Sequence, residues 1–341
     1  MKNFIIAFLI LVFQVLSFTG LSQQLPQYSQ YLLNFYLINP AVAGTTDHYD
    51  IKAGYRKQWV GVEGSPTTFY ITGNGHVGKE HERLRRRHRN QNTWHHGFGF
   101  QFIGDRTGPL SVYNFLLTYA YDMNLTRWTR ISFGANLGIK QFGIDQSRIR
   151  LSEGIEDAPN VPLNNMNKTL PDMALGFWIY HKLFYFGAST QQLFMNSLGA
   201  PSIYDRVNND ANVVNRLAQH YYITGGGLIW MGQFTALIPS VLVKKVFVAP
   251  SVSVDINAKV RYSFNTKVKN KDMIWGGISY RNQDAVVFLA GFLYDNKYEF
   301  GYAYDYSVLS GLRAHSAGSH EIMLGYRFMP NAQIISPSDF W

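Results

Sequence analysis

Alternation with a period of two runs through most of this chain, and no other feature restricts its fold as far. In 131–140 the odd positions Ile131, Phe133, Ala135, Leu137 and Ile139 are apolar, against Ser132, Gly134, Asn136, Gly138 and Lys140. In 251–263 Val252, Val254, Ile256, Ala258, Val260 and Tyr262 stand against Ser251, Ser253, Asp255, Asn257, Lys259, Arg261 and Ser263. In 319–328 Ile322, Leu324, Tyr326 and Phe328 oppose Glu321, Met323, Gly325 and Arg327. Successive side chains of a strand point to opposite faces, so each run has one apolar and one polar face. A β-sandwich alternates in the same way. Three features favour a membrane barrel instead: strands near the roughly 9–11 residues that cross a bilayer at a tilt, no intervening helical domain, and aromatics at the strand ends.

Composition points the same way. Only 16% of the 341 residues are charged, while 22 are Tyr, 24 Phe and 30 Gly; soluble domains carry about a quarter charged residues. Cysteine is absent, which excludes disulfides, thiolate chemistry, Cys-based zinc sites and attachment of a lipid through Cys. Met1-Lys2-Asn3, an apolar run, and the small residues Gly20 and Ser22 fit a secretory signal peptide over 1–22, cut near Ser22; the other reading is an N-terminal membrane anchor. Beyond it no apolar run reaches about 18 residues, the length a spanning helix needs. A membrane-embedded chain of this kind must therefore close into a barrel, because hydrocarbon leaves no partner for an unpaired backbone group.

The pattern predicts strands near 49–59, 65–76, 94–105, 110–122, 127–142, 171–181, 183–191, 219–230, 235–246, 250–263, 272–281, 284–294, 297–307 and 319–328. That is an all-β, antiparallel barrel of about fourteen strands, an even number as in bacterial barrels. The weakest is 235–246, where alternation is poor and Pro239 cannot donate a ladder hydrogen bond. With the N-terminus periplasmic, parity sends the long connections 143–170 and 192–218 outward and the short turns 181–182 and 295–296 inward. Trp94, Trp128, Trp178, Trp230 and Trp275 then fall near inner strand ends, as an aromatic girdle. One periplasmic connection, 78–92, breaks the pattern with Arg83, Arg85, Arg86, Arg87 and Arg89. It reads either as a solvated charged loop or as a docking surface for an acidic partner or an anionic headgroup.

Ahead of the first strand, Tyr28, Tyr31, Leu32, Phe35 and Tyr36 recur at helical spacing, and Asn39-Pro40 would stop the helix. So short an amphipathic helix needs a surface to cover, and the barrel mouth or lumen is nearest. The same stretch carries a resemblance. Tyr28-Ser29-Gln30-Tyr31, then Asn39-Pro40-Ala41 with Ala43-Gly44, then Tyr55-Arg56 and Gln58-Trp59 followed by Gly64 and Pro66, resemble the PorP/SprF family of type IX secretion system outer-membrane proteins. The basic insertion and the thirteen residues after Phe328 depart from the family pattern, so either Phe328 or Trp341 could act as the assembly-directing terminal aromatic. The resemblance implies a barrel related to the fourteen-stranded fatty-acid transporter type, with an N-terminal plug. It also implies a role in carrying or anchoring a secreted cargo, commonly a giant adhesin engaged through its C-terminal domain. The expected organisation is a signal peptide over 1–22, a plug or periplasmic segment over 23–48, an outer-membrane barrel over 49–328 and a tail over 329–341.

Chemistry is expected to be absent. No His pair has metalloprotease spacing, no Gly-x-Ser-x-Gly elbow occurs, and Gly75-His76-Val77-Gly78-Lys79-Glu80 lacks the Ser/Thr of a phosphate loop. His95 and His96 lie at a strand start, and His320 on the apolar face of the last strand. No cofactor or metal is implied, and nucleic acid is a poor partner for this compartment. Asp255, Lys259, Arg261, Glu299, Asp305, Glu321 and Arg327 are expected to face the lumen, either ion-paired or lining a solute path. Inward Gly134, Gly138, Gly176, Gly301, Ala303 and Gly325 leave room for a plug or for a channel. Two functional classes remain: a secretion-system binding module, and a porin or fatty-acid-transporter-like channel.

Overall fold

The alternating runs fold as strands whose neighbours in sequence are neighbours in space. The computed structural model describes residues 27–77, 94–126, 128–145, 166–196, 217–246, 252–264, 272–282, 284–308 and 313–328. Its strands are β1 (Tyr49–Lys57), β2 (Thr67–Val77), β3 (Trp94–Thr107), β4 (Leu110–Asn124), β5 (Thr129–Ile144), β6 (Met166–His181), β7 (Phe184–Gln191) and β8, which is His220–Gly227 resumed as Ile229–Trp230. There follow β9 (Thr235–Val246), β10 (Val252–Ser263), β11 (Met273–Arg281), β12 (Ala285–Tyr294), β13 (Tyr298–Ser307) and β14 (Ser319–Phe328). Each pairs antiparallel with the next, and β1 pairs with β14 from Tyr49↔Phe328 to Lys57↔His320. The sheet is a closed barrel.

Pro239 sits within β9 after all, and the interruption of β8 marks its effect. Register runs on from Ser240↔Gly226 to Leu237↔Ile229, so the interruption at Leu228 faces the Pro239–Ile238 step, where one ladder donor is missing. The inner end is the one where residue 48 enters β1. The β12–β13 hairpin there turns through Asp295 and Asn296, both at positive φ (48° and 52°), and Lys297 N–H closes the turn on Tyr294 O at 3.0 Å.

The outward faces form an apolar belt. At its middle, register aligns Leu137 with Leu117 and Leu117 with Phe100, and the two leucines are 61% and 58% exposed. A single such residue means little, but a continuous belt around a closed sheet is a lipid-facing surface. Of the five girdle tryptophans, Trp94, Trp128 and Trp230 are exposed, but Trp178 and Trp275 are buried. Those two have inward parity, Trp178 stacking on Tyr185 at 5.1 Å between centroids. The girdle expectation is corrected there, because nearness to a strand end does not decide which face a side chain takes. The expected signal peptide, the basic residues 83–89, most of both long outer connections and the tail after Phe328 lie outside the described residues.

Leu137→Arg, at the middle of the belt, should cost about 2–4 kcal/mol, whereas Thr129→Arg at the inner rim should cost about 0–1 kcal/mol. Chemical unfolding from lipid vesicles, followed by Trp fluorescence, measures both; equal effects would contradict a lipid-facing belt.

Candidate functional site in the lumen

Residues 29–46 lie inside the barrel, all buried except the partly exposed Leu33. They do not form the expected amphipathic helix. Two single 3-10 turns, Phe35–Leu37 and Pro40–Val42, carry the chain instead. Nor does Asn39-Pro40 end a helix: the Asn39 side chain caps the second turn by accepting from Ala41 N–H at 3.0 Å, and Pro40 occupies its first position, where a missing N–H costs nothing.

Local turn bonds satisfy eight of the segment's backbone amides, from Leu33 N–H to Gln30 O (2.9 Å) through Thr45 N–H to Val42 O (3.1 Å), and the barrel wall meets many of the remaining polar groups. Ser189 Oγ donates to Ile38 O at 2.6 Å, Gln191 Nε2 to Leu37 O at 3.2 Å and Gln101 Nε2 to Tyr36 O at 2.6 Å. Asn34 Nδ2 donates to Thr72 Oγ1 at 2.9 Å, and Asn39 Nδ2 to Phe177 O at 2.9 Å. Tyr31 and Tyr36 bond Asn257 and Thr118. Near the inner end the His95 ring lies 2.8 Å from Gly44 O. Small inward residues make room: a Cβ at Gly134 would collide with the Pro40–Ala41 backbone, and one at Gly176 with the Asn39 amide.

The outer end of the segment is held by charge. Ser29 N–H donates to Glu321 at 2.7 Å, and Ser29 Oγ to Asp305 at 2.7 Å. Arg56 reaches Ser29 Oγ at 2.7 Å, Asp305 at 2.8 Å and Glu321 at 3.3 Å. Arg281 adds Asp305 at 3.1 Å and Asp255 at 3.4 Å, and Lys244 pairs with Asp255 at 3.0 Å. A second group at the inner end joins Lys52 to Asp50 (3.1 Å) and Glu299 (3.5 Å), and Arg327 to Glu299 (3.0 Å). All seven charges expected to face the lumen are buried. Asp255, Glu299, Asp305, Glu321 and Arg327 are in ion pairs; Lys259 lies 5.7 Å over the Trp275 ring and Arg261 5.5 Å over the Trp230 ring. Burial alone would lower the pKa of His48, but the Asp50 and Asp47 carboxylates outweigh it and raise the pKa above its ordinary value. Burial likewise raises the pKa of the Tyr28, Tyr31 and Tyr36 phenols.

Above this filled region the outer lumen holds a cavity of about 480 Å³. Tyr28 and Leu37 of the segment contribute to its lining, with Gln58 and Trp59 at the mouth. Its wall is apolar for a lumen, with Ile103, Val112, Leu116 and Phe142 facing the Lys140–Asp172 pair (2.9 Å). The family-motif residues thus gather: Ser29, Gln30 and Arg56 in the charged cluster, Tyr28, Gln58 and Trp59 at the cavity, Asn39, Pro40, Ala43 and Gly44 deeper inside. Sequence reasoning missed Arg281, the buried Arg130–Asp122 pair (2.5 Å) and Lys140–Asp172. Inward parity on β4, β5, β6 and β11 was the signal available for all five residues. Among the described residues no group of His, Asp or Glu could hold a metal ion.

A family model described as "Type IX secretion system membrane protein PorP/SprF" matches residues 20–326. No curated protein matches the chain in sequence. Among solved structures, a TodX deltaS2S3 mutant monoaromatic hydrocarbon channel is 11% identical, with a TM-score of 0.51 over 89% of this chain and 95% of that one. The Pseudomonas putida toluene transporter TodX is 9% identical, with a TM-score of 0.47 over 91% and 95%. At such identities the first likeness supports the barrel fold alone.

Arg56→Ala leaves the buried Glu321 without its cation, while Asp305 keeps Arg281, and should cost about 3–5 kcal/mol. Ser29→Ala, which removes one shared hydroxyl, should cost about 1–3 kcal/mol. Arg56→Lys should fall between them and wild type, since an ammonium cannot serve the same fork. Denaturant midpoints of the three variants in detergent rank these effects.

Proposed function

The chain belongs to the PorP/SprF family of type IX secretion system membrane proteins, and from that premise we propose that it is an outer-membrane docking barrel for an exported cargo protein. In this reading the signal peptide delivers the chain across the inner membrane, with cleavage near Ser22. The barrel then binds the C-terminal domain of a large surface protein, such as an adhesin of gliding motility, and supports its export or its anchoring. It acts by binding and not by catalysis.

One observation carries the reading: among the described residues a cavity of about 480 Å³ lies at the outer end of the lumen, above the buried segment. A solute channel needs a continuous path, whereas residues 29–46 are tied to inward groups of most strands and fill the lumen below the cavity. The N-terminal segment is therefore a plug. A ligand reaching the cavity from outside meets Trp59 and an apolar wall, with Tyr28 and Leu37 of the segment in its lining, which suits capture of an apolar protein side chain from an exported partner. Other components of the secretion machinery are expected at the periplasmic face, where the basic residues 83–89 offer contacts to carboxylates.

Affinity purification from outer membranes in mild detergent, followed by mass spectrometry, should recover a large surface protein in stoichiometric amount. Leu116→Glu, which places a charge in the cavity, should reduce that recovery at least tenfold while the barrel still assembles. In planar bilayers the intact protein should conduct negligibly, and deletion of 27–44 should open it. A solitary barrel that conducts with the segment in place would sink the proposal and leave the porin or fatty-acid-transporter-like reading.

A further inference from the structure

A second concavity, of about 450 Å³, lies on the opposite side of the wall, at the outer rim of β1–β4. Lys57, Thr67 and Arg106 share one register row, Lys57↔Thr67 and Thr67↔Arg106. All three have the parity of the lipid-facing residues Tyr55, Phe69 and Phe100, which are exposed. Two strand spacings put the cations about 10 Å apart at the backbone, with the Thr67 hydroxyl between them. Lys57 Nζ already leans to Thr67 Oγ1 at 2.9 Å and to Ser65 O at 3.2 Å. The carboxylate bordering the site, Asp105, has lumenal parity and is engaged by Thr68 at 2.5 Å and Thr107 at 3.3 Å. It does not neutralise the pair.

Depth identifies the ligand. Arg106 is twelve residues along β3 from the exposed Trp94 at the inner rim, and Lys57 is the last, outermost residue of β1. Twelve residues of a tilted strand climb roughly 30 Å, more than the height of an apolar band about 25 Å tall. Below the cations Phe69 packs against Phe102 and Tyr113 at 5.7 and 6.4 Å, a surface suited to acyl chains. Two cations and a hydroxyl at headgroup level over an aromatic patch match a phosphorylated lipid, since guanidinium and ammonium groups make charge-assisted bonds to phosphate. We propose that Lys57, Thr67 and Arg106 bind the phosphate of an outer-leaflet glycolipid of the lipid A type.

The test uses the full chain, delipidated in detergent, and native mass spectrometry with monophosphoryl lipid A and its dephosphorylated counterpart as probes. Wild type should retain the phosphorylated probe at least tenfold better than the dephosphorylated one. The double variant Lys57→Ala/Arg106→Ala should lose that preference, while Lys57→Arg/Arg106→Lys should keep it. Retention of both lipids to the same extent by wild type overturns the site, and so does a double variant that binds as wild type does. Competition by inorganic phosphate as effective as that by the lipid would also overturn it, because the site would then serve a free anion. Heat-modifiable migration on gels reports whether each variant has assembled. The wild-type comparison decides even if the alanine variant does not.

Discussion

Closure of the barrel is the constraint on which everything else rests, and it is made at the β1–β14 seam. In hydrocarbon an unpaired strand edge has no solvent to satisfy it, so the first and last strands must meet in a single register. On the lumenal face of that seam Arg56 lies opposite Glu321, and Asp50 opposite Arg327. A slip by one residue would carry these charges to the lipid face and the leucines inward. Opposite charges across a strand pair favour one register, and here the penalty for missing it is set by the membrane. Arg56 and Glu321 are also the groups that hold Ser29. One cluster therefore fixes the closure of the barrel and the position of the segment inside it.

The lumen follows from that arrangement. A barrel of fourteen strands is wider than inward side chains alone can fill, and the deficit is met by a chain segment with no ladder of its own. Inside the sheet short local bonds pair eight of its amides with its own carbonyls, and several remaining carbonyls face polar side chains of the wall, so no run of i→i−4 bonds is needed. Short turns that bond to themselves and present the carbonyls of Tyr36, Leu37, Ile38 and Gly44 to Gln101, Gln191, Ser189 and His95 are sufficient. Buried ion pairs are weak sources of net stability, yet breaking one is costly. Such a lumen is better suited to holding a defined arrangement than to tuning a permeation path.

The period of two made the fold legible, because a strand with one lipid face and one crowded face leaves its alternation in the sequence whatever its partners. Even β9, with Pro239, kept enough of it. The segment was misread for the converse reason. Tyr31, Phe35 and Tyr36 are spaced as on a helix, but each is buried against a different part of the wall, Phe35 on Trp178 and Tyr185, for instance. A residue surrounded on every side carries no amphipathic signal. Trp178 and Trp275 were misplaced because position along a strand was weighed ahead of parity. The lumenal charges could be named from parity, whereas their pairing depends on which strands close the barrel. The cavity left no mark at all, since a void is defined by residues from many strands at once.

At the end of β1, alternation distributes one short motif over three environments. Tyr55 and Lys57 face outward, Arg56 reaches the charged cluster, and Gln58 and Trp59 turn to the cavity. The turn is made at Trp59, whose φ of 44° lies in the left-handed region, a conformation that costs of order 1–3 kcal/mol unless its surroundings impose it. They do so through the β13–β14 connection: Trp59 N–H donates to Ser319 Oγ at 3.1 Å, and Val60 and Ala317 exchange bonds with Gly318 and Val60 at 2.8 Å. The loop at the mouth is thus clamped to the strand that closes the barrel. A change in the lumenal cluster and a change at the mouth must share this backbone. Five consecutive residues of β1 and its turn then couple the plug, the cavity and the membrane face, the reason the Tyr-Arg-x-Gln-Trp pattern takes the form it has.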